Sequence, residues 1–288
     1  MVFKRYTINK DSNKYESVKW GRDRRRRSET SVVYSAPDLE YYSVYLDGST
    51  GYLIGNVSGV LDIPVISTGS KFTFSTWFKP EDVTTLTPRI LCASRDSSVS
   101  TNPSLYLAQY GADVYIWINV GEKGAITNIN SLVSGVWTNI AVTAQWVGSD
   151  PVYQIYINGV IQDIVYNEFI QNEDPYTSLT ATYMGVNQHN GVFSKYLKGY
   201  IASPALWTGI LSSGAINYLA TNNWDYRVLK INIPGYPITY YYSPTEVSYL
   251  TDYYTSFSGT NFIYNHMNSG QHLNFSGTVT PSLDYPEF

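Results

Sequence analysis

The stretch Phe72-Thr-Phe-Ser-Thr-Trp-Phe-Lys-Pro80 reads as a strand with two unlike faces. Successive side chains of a strand point to opposite sides, so Phe72, Phe74, Thr76 and Phe78 share one face and Trp77 lies on the other. Pro80, with no N–H to donate, ends the ladder. The same period of two recurs along the chain. In Trp137 to Trp146, Ile140, Val142, Ala144 and Trp146 face one way, and Tyr153, Ile155 and Ile157 do likewise. Asn158-Gly159 then offers the two positive φ angles of a type I′ turn, the strongest hairpin signal in the chain. Leu105–Tyr110 and Val114–Val120 flank Gly111-Ala-Asp113, a predicted three-residue hairpin loop. Tyr183–Val186 and Tyr200–Trp207 read as closing strands, and Tyr45–Leu53 opens the series around Asp47-Gly48.

Many short strands at regular spacing predict an all-β fold, two antiparallel sheets packed as a sandwich. Two helices are predicted to interrupt it. Leu211–Ala220 carries serine caps with Ile216 and Leu219 three apart. Ser243-Pro-Thr-Glu246 matches a capping box leading into Val247–Tyr254. Further short strands are predicted around Leu273–Phe275 and Gly277–Thr280.

The 288 residues are long for one domain but ordinary for a sandwich with appendages. Charge is unevenly spread. Residues 1–30 hold ten basic and four acidic side chains, a local balance of +6 on a chain of net charge −4. A basic arm on an acidic body suits a partner with a negative surface. Residues 1–40 have no clear apolar period, so alone they are expected to be extended or disordered, and ordered only when clamped against neighbours. Lys19, Trp20, Arg22, Arg24, Arg25, Arg26 and Arg27 are the candidate partner-binding residues of this arm. The 28 tyrosines suit half-buried sheet faces and sugar- or protein-contacting surfaces, since the ring packs while the hydroxyl still seeks a partner. The lone Cys92 excludes an intrachain disulfide and is expected to be a small buried hydrophobe. No apolar run approaches the ~20 residues of a membrane span, and because polar sequence follows Lys4 and Arg5 no export signal is expected there.

Placed in order, these phrases resemble a laminin-G-like jelly roll of the concanavalin A-like lectin superfamily, of the type found in bacterial and bacteriophage proteins. The resemblance rests on Leu46-Asp-Gly48, Phe72–Pro80, Trp137–Val142, Tyr156-Ile-Asn-Gly159, Met184-Gly-Val186, Leu197–Trp207 and the Leu211–Ile216 helix start. It implies three segments: a basic arm over 1–40, a jelly roll over 41–221 and a tyrosine-rich extension over 222–288. The closing phrase of the family usually carries an acidic residue where this chain has Ala202-Ser203. A role for that carboxylate is therefore not carried over.

Glycosidases on this scaffold resemble one another in a Glu-x-Asp-x-Glu strand, whose alternation gathers three carboxylates in one groove. The nearest match is Asp38-Leu-Glu40, with Tyr42 in the third place and before the first predicted strand of the roll. Glu81-Asp82 and Glu173-Asp174 are adjacent, so on a strand they would face opposite ways. His189, His266 and His272 lack metal-ligand spacing, and there is no nucleophile elbow or phosphate-binding loop. No cofactor is expected. Calcium would take Asp47 as its first ligand, but turn formation beside Gly48 is the favoured role of that residue.

Sugar binding would need aromatic platforms, for which Trp117, Trp146 and Trp207 are the candidates, although for any one of them core packing is the favoured role, because the sandwich needs large side chains. The expectation is a non-enzymatic structural protein of a bacteriophage-like virion, made in the host cytoplasm and present in many copies. Its arm would anchor it to a major capsid protein, and nucleic acid is the less favoured partner. The alternative is a carbohydrate- or host-receptor-binding module, and a glycoside hydrolase comes third.

Overall fold

The computed structural model describes residues 4–9, 14–19, 34–35, 43–55, 69–95, 105–118, 123–127, 130–147, 150–168, 181–189, 192–221, 250–256, 262–265, 273–282 and 284. The chain forms two compact units, Met1–Glu40 and Tyr41–Phe288. In the first, β1 (Lys4–Asn9), β2 (Lys14–Lys19) and β3 (Tyr34–Ser35) form an antiparallel sheet in that order. The expectation for this stretch was an extended or disordered arm, and its described residues are extended strands that pair with one another. Tyr6, Thr7, Ile8, Tyr15 and Val18 are strand formers, and β1 and β2 pair over six residues from Lys4 with Lys19 to Asn9 with Lys14. Lys19 ends β2, whereas Trp20, Arg22 and Arg24 to Arg27 lie outside the described residues.

The second unit begins with β4 (Ser43–Asp47), β5 (Tyr52–Gly55), β6 (Lys71–Pro80), β7 (Arg89–Arg95), β8 (Leu105–Tyr110) and β9 (Asp113–Ile118). It continues through β10 (Lys123–Thr127), β11 (Thr138–Val147), β12 (Asp150–Ile157), β13 (Val160–Ile161), β14 (Ile164–Glu168) and β15 (Ala181–Met184). The small hairpin β16 (Asn187–His189) and β17 (Val192–Ser194) precedes β18 (Lys198–Trp207) and helix α1 (Ser213–Thr221). Last come β19 (Leu250–Ser256), β20 (Phe262–Asn265), β21 (Leu273–Ser276) and β22 (Val279–Ser282).

Two antiparallel sheets result. One runs β22-β4-β18-β6-β11-β12-β13, the other β20-β21-β5-β15-β7-β8-β9-β10-β14. Strand β19 turns the corner, pairing with β18 through Leu250–Tyr253 and with β20 through Tyr254–Ser256. The alternation read from the sequence fills the space between the sheets. Phe72, Phe74 and Phe78 of β6 meet Ile140, Val142, Ala144 and Trp146 of β11 and Leu53, Leu91, Cys92, Leu107, Ile116 and Met184 of the opposite sheet in one buried cluster. Burial also pushes the Cys92 thiol up to about 12, so it stays protonated and acts as a small apolar filler.

A bulge in β18 between Ala202 and Ala205, with Ser203 at φ 48°, resets the phase of the strand. Ile201 and Leu206 both point into the inter-sheet core, while Ala205 and Trp207 join a second cluster with Ala141, Tyr156 and α1 on the other side of the sheet. Helix α1 begins where Ser212 Oγ accepts the Ala215 N–H at 3.3 Å, and it buries Ala215, Ile216, Leu219 and Ala220. The Asn158-Gly159 turn has φ of 48° and 78°, the pair of positive angles that dipeptide favours.

Two expectations about local structure are corrected. The Gly111 hairpin has a two-residue loop, because Asp113 pairs with Tyr110 and is already in β9. The segment predicted as a helix over Val247–Tyr254 contributes Leu250–Ser256 as a strand, its cap at Ser243–Glu246 lying outside the described residues. Tyr253, Tyr254 and Thr255 favour strand, and two partner strands satisfy their backbone groups. The strands of the C-terminal stretch are integral to the sandwich, with β21 on β5 and β22 on β4.

Candidate functional site

The outer face of the first sheet divides in two. Helix α1 covers the end that carries Trp207, Ala141 and Tyr156. At the other end, register sets Thr280 of β22, Tyr45 of β4, Tyr200 of β18 and Lys79 of β6 in one row across four strands. Their strand neighbours Val44, Leu46, Ile201 and Phe78 are core residues, so the row faces outward. The Tyr45 and Tyr200 rings lie 4.9 Å apart, and Trp137, just before β11, is 6.2 Å from Tyr200. Lys79 Nζ stands 5.4 Å from the centre of the Tyr200 ring. All three aromatic residues are half-buried, and the Tyr45 and Trp137 rings are tilted to that of Tyr200 by 51° and 56°.

Two carboxylates border this platform, each tied to one lysine and one aromatic donor. Tyr45 donates its hydroxyl proton to Glu81 Oε2 at 2.6 Å, while Lys198 Nζ lies 2.9 Å from Glu81 Oε1. Trp137 Nε1 donates to Asp284 Oδ1 at 3.0 Å, and Lys79 Nζ donates to Asp284 Oδ2 at 2.5 Å. The ends of both carboxylate segments are stitched down: Ser43 Oγ donates to the Asp284 carbonyl and the Glu81 N–H to the Lys198 carbonyl. The hydrogen bond to Glu81 raises the Tyr45 phenol to about 12, and the same bond with that of Lys198 lowers Glu81. Partial burial pushes Asp284 upward, but the bonds from Lys79 and Trp137 outweigh it and leave its pKa lowered. Both acids are ionised at neutral pH. A glycosidic general acid needs a raised pKa, and both shifts here are downward.

Of the three tryptophan candidates, two take the core-packing role favoured for them over sugar stacking. Trp146 is 3% exposed in the inter-sheet core and Trp207 is fully covered beneath α1, so neither can present a face to a sugar. Both are therefore removed from the candidate sugar platforms, and core packing is their role. Trp117 occupies β9 opposite Tyr106 and Gly124, its side chain lying outside the described residues. Asp47 is a turn-former: Oδ1 accepts the N–H groups of Ser49, Thr50 and Gly51, and Oδ2 the hydroxyls of Ser49 and Thr50. Five bonds occupy the lone pairs that a cation would need. Among the described residues no three His, Cys, Asp or Glu side chains cluster as a metal site. Among them, too, no helix is long and apolar enough to cross a membrane.

The platform residues were present in the quoted phrases but not singled out. Tyr45 alternates with Val44 and Leu46, and Tyr200 precedes the core residue Ile201, so the period-two pattern marks both as outward. Conversely, Trp146 stands in phase with Ile140, Val142 and Ala144, which marks it as core. Asp284 had no such signal, because it reaches Lys79 and Trp137 only through the pairing of β22 with β4.

No curated protein sequence matches the chain. Solved structures similar to it include a heptameric SAP-like pentraxin from Limulus polyphemus, 15% identical with a TM-score of 0.46, over 65% of this chain and 84% of that one. A putative carbohydrate binding protein from Bacteroides ovatus is 12% identical with a TM-score of 0.49, over 88% of this chain and 67% of that one. The botulinum neurotoxin serotype D binding domain is 14% identical with a TM-score of 0.44, over 67% of this chain and 49% of that one. Residues 46–217, more than half of the chain and the span holding Tyr200, Trp137 and Glu81, match the laminin-G type of the concanavalin A-like lectin/glucanase superfamily, and the chain belongs to that family.

Proposed function

We propose that the Tyr41–Phe288 unit is a non-catalytic glycan-binding module that holds carbohydrate on the face formed by Tyr45, Tyr200 and Trp137. One observation carries the reading: three half-buried rings cluster, Tyr45 and Trp137 tilted to Tyr200 by 51° and 56°, and are flanked by two ionised carboxylate–lysine pairs. The apolar C–H face of a pyranose stacks on such rings while its hydroxyls bond to the charged rim. Membership of a lectin/glucanase superfamily is consistent with this, and the downward pKa shifts of Glu81 and Asp284 favour binding over hydrolysis. Glycan-array binding by the purified full chain, abolished in a Tyr45→Ala/Tyr200→Ala variant that melts as a folded protein, tests it. Retained binding in that variant would remove the platform from the account.

Where the module is displayed is a separate matter. Incorporation into a virion through residues 1–40, with a capsid protein as partner, rests on the local charge of +6 and on the resemblance to bacteriophage jelly rolls. The glycan-binding reading has the better support. Removing residues 1–30 is expected to abolish incorporation into particles, and wild-type incorporation would end the anchor idea.

A further inference from the structure

We infer that the glycan held on this face is neutral, read through pairs of adjacent hydroxyls, and that Glu81 and Asp284 restrain Lys198 and Lys79 from binding acidic sugars. The inference rests on the glycan-binding reading and specifies its ligand class.

The argument is one of charge and donor geometry. Each lysine at the platform has a carboxylate within hydrogen-bond reach, Lys79 with Asp284 and Lys198 with Glu81. The next cation along β7, Arg89, is likewise paired, with Asp82 at 3.0 Å. Register adds Asp47 opposite Lys198. The platform and its rim therefore carry no surplus positive charge among the described residues. A sialic, uronic or sulfated sugar placed there would meet Glu81 and Asp284 within a Debye length of about 8 Å and would have to displace one of them from its lysine.

A neutral sugar meets no such barrier. The described bonds use one of three protons on each ammonium and one lone pair on each carboxylate oxygen. A lysine and carboxylate held side by side match a vicinal diol: one hydroxyl accepts from Nζ while its neighbour donates to the carboxylate. Two such pairs border one aromatic platform, which suits a hexose that stacks through one face and offers adjacent hydroxyls at its edge. The fixed orientation of Glu81 and Asp284 comes from Tyr45 and Trp137, so the same rings that stack the sugar also aim its acceptors.

The test uses the full chain on an array of neutral hexose oligosaccharides and their sialylated and sulfated counterparts, followed by titration with the strongest neutral binder. Wild type is expected to prefer the neutral members by about tenfold or more, with affinity nearly unchanged between low and high salt. Glu81→Gln frees Lys198, and it is expected to gain at least about fivefold for an acidic counterpart, now salt-sensitive, while losing affinity for the neutral one. Asp284→Asn serves the same purpose at Lys79 should the first variant fold poorly. Preference of the wild type for acidic glycans, or steep salt dependence of neutral binding, overturns the inference while leaving glycan binding intact. Absence of binding to every glycan overturns the proposed function itself.

Discussion

Asp47 is the sharpest point at which structure and cation chemistry make opposite predictions. Its side chain accepts three backbone N–H groups at 2.8–3.0 Å and two hydroxyls at 2.6–2.9 Å, closing the turn between β4 and β5. Asp47→Ala removes all five. At about 1 kcal/mol net per bond the loss would be about 5 kcal/mol. Ser49 and Thr50 are exposed, and water replaces much of what they lose, which leaves about 2–3 kcal/mol. For a unit of this size that is a fall in Tm of roughly 5–10 °C. Asp47→Asn keeps an Oδ1 for the three N–H groups while the two hydroxyls reorient, so its cost is about 1 kcal/mol or less. Scanning calorimetry with and without calcium reads all of this. A calcium-dependent rise in wild-type Tm, lost equally in both variants, would refute the turn-former role and make Asp47 a metal ligand.

The acid limb of stability follows from the same group and its companions. Asp47, Glu81, Asp82 and Asp284 all have lowered pKa values in the folded chain. Their contribution is thus complete above the unfolded carboxyl values of about 4 and is lost as pH falls through the folded ones. Tm is expected to be flat from pH 8 to about 5 and to drop below about 4, less steeply in Asp47→Asn; an unchanged acid slope in that variant would contradict the assignment. Gly159→Ala places a methyl 2.7 Å from the Asn217 Cα of α1 at a φ of 78°, and the strain and backbone clash together cost about 2–4 kcal/mol. Wild-type stability of that variant by urea unfolding would mean that α1 moves freely on the turn. Trp207→Ala empties the fully buried site under α1 and is expected to cost about 3–5 kcal/mol, whereas a change in glycan binding without loss of stability would contradict its burial.

The sandwich was legible because apolar alternation with a period of two admits few alternatives. Phe72, Phe74 and Phe78, then Ile140, Val142 and Ala144, declare one buried face wherever they occur. Local signals failed where a partner strand decided the outcome. The sequence around Leu250–Ser256 offers a capped helix and a tyrosine-rich strand, and its pairing with β18 and β20 settles it. The site was half legible. Tyr45 and Tyr200 could be assigned outward from their core neighbours, but tryptophan content was a poor guide, since a sandwich core also needs large side chains. Asp284 and Lys79 are 205 residues apart, and no spacing rule anticipates their contact.

Glycan recognition on the Tyr45–Tyr200–Trp137 face is the central claim, and isothermal titration of Tyr200→Ala with the array-selected oligosaccharide tests it most directly. Tyr200 is the middle ring, touching Tyr45, Trp137 and the Lys79 ammonium. Loss of its stacking is worth about 1–1.5 kcal/mol, a weakening of about fivefold to tenfold, with a thermal melt close to wild type. Unchanged affinity in a folded Tyr200→Ala variant would contradict the account.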